Sequence, residues 1–438
     1  MNTKTIKQHL LSAIDAVSSH PELCCYNPGV DFTRKRRVTL KSLLTGLISM
    51  EGKSLSNEVI DIYKDTGSIP SPSAFVQQRS KLKPEAVYDV FQEFTKRMTK
   101  YRKKSLVMLA VDGSKITIPD NPEDTATRIP VVGDQGFYNC LHLNALYDIS
   151  NGVYVDSEVQ NGTESNEHVA LQRMVDRSDI PKALIIADRG YESYNNLAHI
   201  QEKGWYFLIR AKDGAFGIKC GFDLPSDDVF DFPVSLSLTR KQTNETKQLI
   251  KDKNHYRFLP KRVIFDYLPS NRRKSDPTKF YQLKFRIVRF QLTEDTYETI
   301  LTNLDSETYP PEEIKRLYAS RWGIETSFRN LKYTIGLLKF HSKKAVCIRQ
   351  EIYARLIMYN FVGIITSHVI IKKKQRKHTY KANFSTSAHA CRLYFLGNTS
   401  PPVLESIIAS FLIPIRPDRH RKRYAILGTI HEFFYRIA

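Results

Sequence analysis

Residues 106–118 read LVMLAVDGSKITI, and residues 183–188 read ALIIAD. In the first, Val107 to Val111 form an unbroken apolar run that stops at Asp112, with Gly113 next; in the second, Ala183 to Ala187 stop at Asp188, ahead of Arg189-Gly190. A short continuous apolar run bounded by turn residues is the pattern of a strand covered on both faces. Each carboxylate is therefore expected at the end of a buried strand, where the chain turns and where α/β sheets carry their chemistry. Taken singly, either is an ordinary turn-capping Asp. Two in the same setting call for a third partner.

The surrounding segments fit one sheet. CLHLNALYDI and GVYVDSEVQ read as strands joined by Ser150-Asn151-Gly152, followed by a helix over about 167–177, the strand at 183–187, the helical YESYNNLAHIQEKG and the strand WYFLIR. Strands in succession, then alternating helix and strand, predict an α/β mixed sheet flanked by helices.

The third partner lies in residues 310–341, PPEEIKRLYASRWGIETSFRNLKYTIGLLKFH. Pro310 and Pro311 followed by Glu312 and Glu313 suit a helix start. Ile314, Leu317, Ile324, Phe328 and Leu331 give an apolar stripe. Tyr318, Arg321, Glu325 and Lys332 are spaced so that a continuous helix would present them on one side. The ordinary reading of Arg321 and Glu325 is a surface pair worth a few tenths of a kcal/mol. With Asp112 and Asp188, however, Glu325 completes an oxygen donor set suited to a hard cation. Two Mg²⁺ ions about 3.5 to 4 Å apart on such a set would activate an attacking oxygen and stabilise a leaving one on a phosphodiester.

Charge points to the same partner. Lys and Arg total 66 against 46 Asp and Glu, a net charge of +20, which attracts polyanions, with nucleic acid ahead of an anionic membrane. Cysteines 24, 25, 140, 220, 347 and 391 form neither a CxxC pair nor a Cys/His spacing, which argues against zinc fingers and a disulfide framework and for the free thiols of a reducing compartment. The N-terminal MNTKTIKQHLLSAIDAV reads as an amphipathic helix, not a signal peptide, since Asp15 interrupts its apolar run. The apolar stretch 356–371 carries Asn360 and His368 and reads as a buried helix.

Five regions follow. Residues 1–100 are expected to be helical and to bind DNA. They hold the basic RKRR at 34–37, LKSLLTGLISM, SLSNEVIDIYKD and PSPSAFVQQRSKL, whose Ser71-Pro72-Ser73 opens a helix carrying Gln77, Gln78, Arg79 and Lys81. The alternative is a helical cap with solvated charges. Residues 101–212 form the first part of the catalytic core. Residues 213–302 form a β-rich, positively charged insertion, in which YQLKFRI at 281–287 alternates and KDKNHYRFLPKR and NRRKSDPTK supply basic loops. Residues 303–345 complete the core with the Glu325 helix. Residues 346–438 are helical and basic, with KKKQRK at 372–377 and RPDRHRKR at 416–423 as phosphate contacts or solvated surface.

VDGSK around Asp112, ADRGY around Asp188, and Tyr318, Arg321, Glu325 and Lys332 in the spacing Y-x2-R-x3-E-x6-K together resemble the DDE transposases of bacterial insertion sequences, in particular the insertion-sequence-four family. The resemblance covers about residues 105–345 and, more loosely, SxSAFxQxR at 71–79. It implies an RNase H-like fold interrupted by a β-rich insert, and cut-and-paste transposition by metal-dependent cleavage and 3′-hydroxyl strand transfer at terminal inverted repeats. It also implies Mg²⁺ (two ions, or Mn²⁺) on Asp112, Asp188 and Glu325, phosphate contacts from Tyr318, Arg321 and Lys332, and support from Arg189 and Tyr191. The implied partners are double-stranded DNA, as terminal repeats and target, and a second copy in a dimeric synapse, in the bacterial cytoplasm at the nucleoid and not in a membrane.

Family members can pass through a hairpin with a flipped base stacked on an aromatic of the insert. The two tryptophans here, Trp205 and Trp322, lie outside the insert, so Tyr256 or Tyr267 would take that place. His142 reads as a packed or edge histidine before a metal ligand or base, with His168 a lesser candidate. The competing functions are a DNA-binding relic or regulator that does not cut, and an RNase H-like nuclease that hydrolyses without joining.

Overall fold

The computed structural model describes residues 2–34, 36–100, 106–131, 136–214, 216–268, 280–371 and 379–415. The basic runs 271–279, 372–377 and 416–423, and Lys35 within the first basic run, lie outside the described residues.

The N-terminal region is helical throughout: α1 (Thr3–Ser18), α2 (Pro21–Cys24), α3 (Leu40–Ser49), α4 (Leu55–Tyr63), α5 (Pro72–Arg79) and α6 (Pro84–Met98). Side chains cap the starts as expected, Asn2 on α1, Thr39 on α3, Ser54 on α4 and Ser71 on α5, each accepting a backbone N–H of the first turn.

The strands β1 (Val107–Ile118), β2 (Arg128–Pro130), β3 (Phe137–Asp148) and β4 (Val153–Asn161) come next, followed by α7 (Glu167–Asp176), β5 (Ala183–Ala187), α8 (Tyr194–Glu202) and β6 (Tyr206–Arg210). β1 pairs antiparallel with β3 and parallel with β5, and β5 pairs parallel with β6. Three antiparallel strands feeding two parallel ones, with helices between, make the RNase H-like mixed sheet.

One expectation fails in detail. β1 does not end at Asp112: β3 follows it from Leu109↔Asp148 to Ile118↔Asn139, so the ladder hydrogen bonds run on past Gly113. What ends near Asp112 is the pairing with β5, whose last pair is Ala110↔Ile186. Asp112 thus stands just beyond the edge of the parallel part of the sheet, beside the end of β5 where Asp188 sits.

The insertion holds β7 (Phe230–Thr239), α9 (Asn244–Leu249), β8 (Tyr256–Phe258), β9 (Tyr281–Thr293) and β10 (Thr296–Thr302). Its strands extend the same sheet, because β10 pairs with β6 and the order continues β10-β9-β7-β8. The alternation along 281–287 breaks at Arg286, which is buried and bonded to Asp231 and the carbonyls of Leu304 and Tyr309.

Two helices, α10 (Pro311–Ala319) and α11 (Trp322–Arg329), replace the single helix expected there, and a wider π turn at Asn330–Ile335 carries Lys332. The chain tightens between them through i→i−3 bonds from the amides of Ser320, Arg321, Gly323 and Ile324.

The long helix α12 (Ala345–His368) then runs through the middle of the molecule, packed on α6, α3, α1 and β4. Its apolar run is explained by burial nearly all round, and Asn360 clasps the backbone N–H and C=O of Tyr154 at 2.8 and 2.7 Å. The described chain closes with β11 (Tyr380–Ala382), α13 (Phe384–Phe395), α14 (Pro401–Ser410) and β12 (Leu412–Pro414). Among the described residues no helix is long and apolar enough to cross a membrane.

Candidate active site

Asp112 and Asp188 emerge from neighbouring strands, each with one carboxylate oxygen accepting a nearby amide: Gly113 N–H at 2.9 Å for Asp112 and Gly190 N–H at 2.8 Å for Asp188. Burial pushes the Asp112 carboxyl up to about 6, and the charges of Asp188 and Glu167 add to that, against Arg321 and the Gly113 amide. A carboxylate so placed is poorly solvated, and burial outweighs the pull of Arg321.

The helix pair brings the third acid. Arg321, at the junction of α10 and α11, donates through Nη2 to Glu325 Oε1 at 2.8 Å. Its guanidinium also lies over Trp322, 5.5 Å from the ring centre, and that indole is 53% exposed. Burial works against the charge of Arg321, but Tyr318, Glu325 and Asp112 together outweigh it and raise its pKa. Tyr318 is buried, which pushes its phenol up to about 12, so at neutral pH it is a hydrogen-bond donor. Lys332 is half-buried with Nζ 3.5 Å from the Lys115 carbonyl; burial lowers its pKa and Asp112 opposes that.

Asp112 is thus within electrostatic reach of Asp188, Arg321 and Lys332, and Tyr318 of Asp188 and Arg321, while Glu325 joins them through Arg321. Arg189 is exposed, while Tyr191 is buried behind the site. Among the described residues, no three acidic, histidine or cysteine side chains gather closely enough to hold one metal ion. Glu325 is turned to Arg321, and both aspartates are turned to backbone amides. The donor set still suits a hard divalent cation. All its oxygens are carboxylate, Asp112 is poorly solvated, and the Tyr191 hydroxyl is buried near Asp112 and Asp188 with no partner among the described residues.

Of the polar residues read on α5, two point into the protein. In α5, Gln78 and Arg79 are buried, and Arg79 pairs with Glu351 on α12 at 2.9 Å, so this helix is joined to the protein interior. Arg34, Arg36 and Arg37 are exposed. Tyr267 packs in an aromatic group with Phe265, Tyr281 and His199, and Tyr256 packs against Phe280.

The sequence reading missed Glu167. Preceded by the capping Asn166, it reads as an ordinary acidic first turn of α7. In the structure it reaches His142 on β3, 3.2 Å away, and contributes to the field on Asp112.

A site of this make-up, two strand-borne aspartates facing a glutamate helix lined with cations, belongs to an enzyme acting on phosphodiesters. Residues 103–361 match the family model described as the transposase DDE domain, and the chain belongs to that family. It is a DDE transposase, a metal-dependent enzyme that cleaves and joins DNA strands. Its relatives are of the insertion-sequence-four kind. The transposase InsG for insertion sequence element IS4 of Escherichia coli (strain K12) is 23% identical over 85% of this chain and 79% of its own length. The transposase for insertion sequence element IS231B of Bacillus thuringiensis subsp. berliner is 22% identical over 91% of this chain and 90% of its own length. Among solved structures, the piggyBac transposase synaptic complex with hairpin DNA aligns over 95% of this chain and 86% of that chain, with 10% identity and a TM-score of 0.44, a likeness too slight to bear on the site.

Proposed function

We propose that the chain moves an insertion sequence by cut-and-paste, cleaving at terminal inverted repeats and joining the freed 3′-hydroxyl to target DNA. In this reading Asp112, Asp188 and Glu325 hold two Mg²⁺ ions, or Mn²⁺. The bound ions supply the positive charge that activates the attacking oxygen and stabilises the leaving one.

The remaining work falls to the chain's own side chains. Tyr318 donates a hydrogen bond to a phosphate oxygen near the cleaved end. Arg321 and Lys332 hold the strand by charge, Arg321 with the planar fork suited to phosphate. Arg321 restrains Glu325 until DNA is present, and a phosphate arriving on Arg321 frees that carboxylate to turn toward Asp112 and Asp188. Arg189 and Tyr191 support the site from either side of Gly190. The observation that carries the reading is that one cation, Arg321, is hydrogen-bonded to Glu325 and lies in the field of Asp112, which Asp188 also reaches; this supports taking the three acids as one site.

Two copies in a synapse would hold the two ends together in the bacterial cytoplasm, at the nucleoid. Release through a hairpin is part of the proposal. Tyr256 and Tyr267 already pack within the insert, and the exposed face of Trp322 beside Arg321 is the better placed aromatic for a displaced base.

The test is a labelled duplex carrying the terminal repeat and flanking DNA, incubated with the protein and Mg²⁺ beside the Asp188→Ala variant. Cleavage at the element boundary, lost in the variant and followed by joined products, is expected. Binding without cleavage would favour a regulator, and hydrolysis without joining a nuclease.

A further inference from the structure

Gly113 follows Asp112 on a strand with ordinary extended geometry, so its lack of a side chain answers to space, not to backbone conformation. A Cβ there would stand 2.4 Å from Glu167 Oε1, 2.5 Å from His142 Nε2 and 3.1 Å from Asn144 Oδ1. Three polar atoms from α7 and β3 therefore converge over one Cα, one residue from Asp112.

His142 Nε2 and Glu167 Oε1 are 3.2 Å apart, so with the proton on Nε2 the ring donates to the carboxylate, and that contact holds Glu167 below the usual carboxylate range. Asn144 donates its amide to Gln160 Oε1 at 3.2 Å, which leaves its oxygen for the space over Gly113. His142, Asn144 and Tyr191 are 6%, 0% and 1% exposed. His142 Nδ1, Asn144 Oδ1 and the Tyr191 hydroxyl are nonetheless without a hydrogen-bond partner among the described residues. Folded proteins rarely leave such atoms unpaired. Three together beside Asp112 form a polar cluster that hydrogen bonds among the described residues leave incomplete. The ordinary reading of Glu167, a first-turn acid on a helix, would be met by a carboxylate pointing to solvent. This one keeps its side chain 38% exposed, yet one of its oxygens is held by a histidine of another element.

We propose that Glu167, fixed by His142 over Gly113, is a positioning residue of the catalytic site: a fourth carboxylate behind Asp112 that raises the site's affinity for its divalent cation. Gly113 is glycine so that this carboxylate can approach. The inference rests on the assignment of Asp112 as a metal ligand. Partners of this rank set metal affinity by about tenfold or more.

The experiment is Mn²⁺ binding to the full chain, followed by the electron paramagnetic resonance of the free ion, with terminal-repeat DNA binding measured alongside. Glu167→Gln is expected to weaken Mn²⁺ binding about tenfold and to raise the Mn²⁺ needed for half-maximal cleavage equally, with the maximal rate recovered at saturating metal and DNA binding unchanged. Gly113→Ala, whose methyl would displace both Oε1 and Nε2, is expected to do the same. Unaltered Mn²⁺ binding in both variants overturns the proposal, as does a loss of DNA binding in step with metal binding, which would mark a purely structural role. Asp112→Asn separates the two readings. If it too leaves Mn²⁺ binding intact, the assignment of Asp112 fails; if it abolishes binding while Glu167→Gln changes nothing, only the role of Glu167 fails.

Discussion

Two clusters of charge in this protein use the same residue types to opposite ends. At the candidate site, burial pushes Asp112 up to about 6, and the nearby cations do not offset it. In the interior, where α4, α5 and α12 meet the segment after the Glu325 helix, Glu351 is 1% exposed yet held far below the carboxylate range. There burial is outweighed by Arg79, His341 and Arg355. Arg79 reaches Glu351 at 2.9 Å and the Cys347 carbonyl at 2.5 Å, while His341 meets Glu351 through Nδ1 at 3.0 Å and the Lys53 carbonyl through Nε2 at 3.1 Å. Both ring nitrogens face acceptors, so the imidazole is doubly protonated, in keeping with its raised pKa. The interior cluster matches its carboxylates with buried cations and joins the N-terminal helices to the core. The other leaves negative charge for a ligand to meet.

The largest consequence falls on the closed cluster. Glu351→Gln leaves Arg79 and His341 buried beside a neutral group and should cost about 3 to 5 kcal/mol, read by urea denaturation of the metal-free protein. A loss below about 1 kcal/mol would mean the cluster is not the fastening described here.

Next in size is the pH dependence. Burial opposes the charge of Glu58, but His341, the amide of Lys53 and Arg355 hold it at about 2 against 4.5 unperturbed. A depressed acid contributes stability above its unfolded pKa and loses it as pH falls through the folded one, so about 3 kcal/mol should disappear between pH 4.5 and 2. Glu58→Gln should flatten that limb. His341, raised, works from the other side: its contribution is complete below its ordinary value of 6.5 and fades as pH rises through the folded value.

Smallest, and opposite in sign, is the effect at the site. Asp112 folds more favourably when protonated, so its penalty is absent below 3.8 and complete above about 6. Asp112→Asn should therefore stabilise the metal-free protein at neutral pH by about 1 to 2 kcal/mol in denaturation. Added Mg²⁺ should raise the melting temperature of the wild type and not of the variant. Destabilisation by Asp112→Asn would put the two clusters in the same class and remove the contrast.

The sequence made one half of this contrast easier to see than the other. Asp112, Asp188 and the Tyr318–Lys332 series were legible because apolar runs and fixed spacings mark them locally. The sheet followed from the same runs. The interior cluster was not legible, since Arg79 and Glu351 are far apart in the chain and each reads alone as a surface charge; only folding α5 onto α12 joins them. Glu167 escaped for the same reason, its partner His142 lying on another element. The break between α10 and α11 was missed because a periodicity that suits one helix is also met by two short ones in line.

The proposed role of Glu325 is to complete a metal-dependent cleavage site with the two aspartates. It is tested most directly by Glu325→Gln, assayed with Mg²⁺ for cleavage of terminal-repeat DNA and, in the same preparation, for binding to it. Cleavage is expected to fall by at least about a thousandfold while binding stays within about twofold of wild type, the loss expected when a transition-state contact worth several kcal/mol is removed. Cleavage retained in this variant would contradict it.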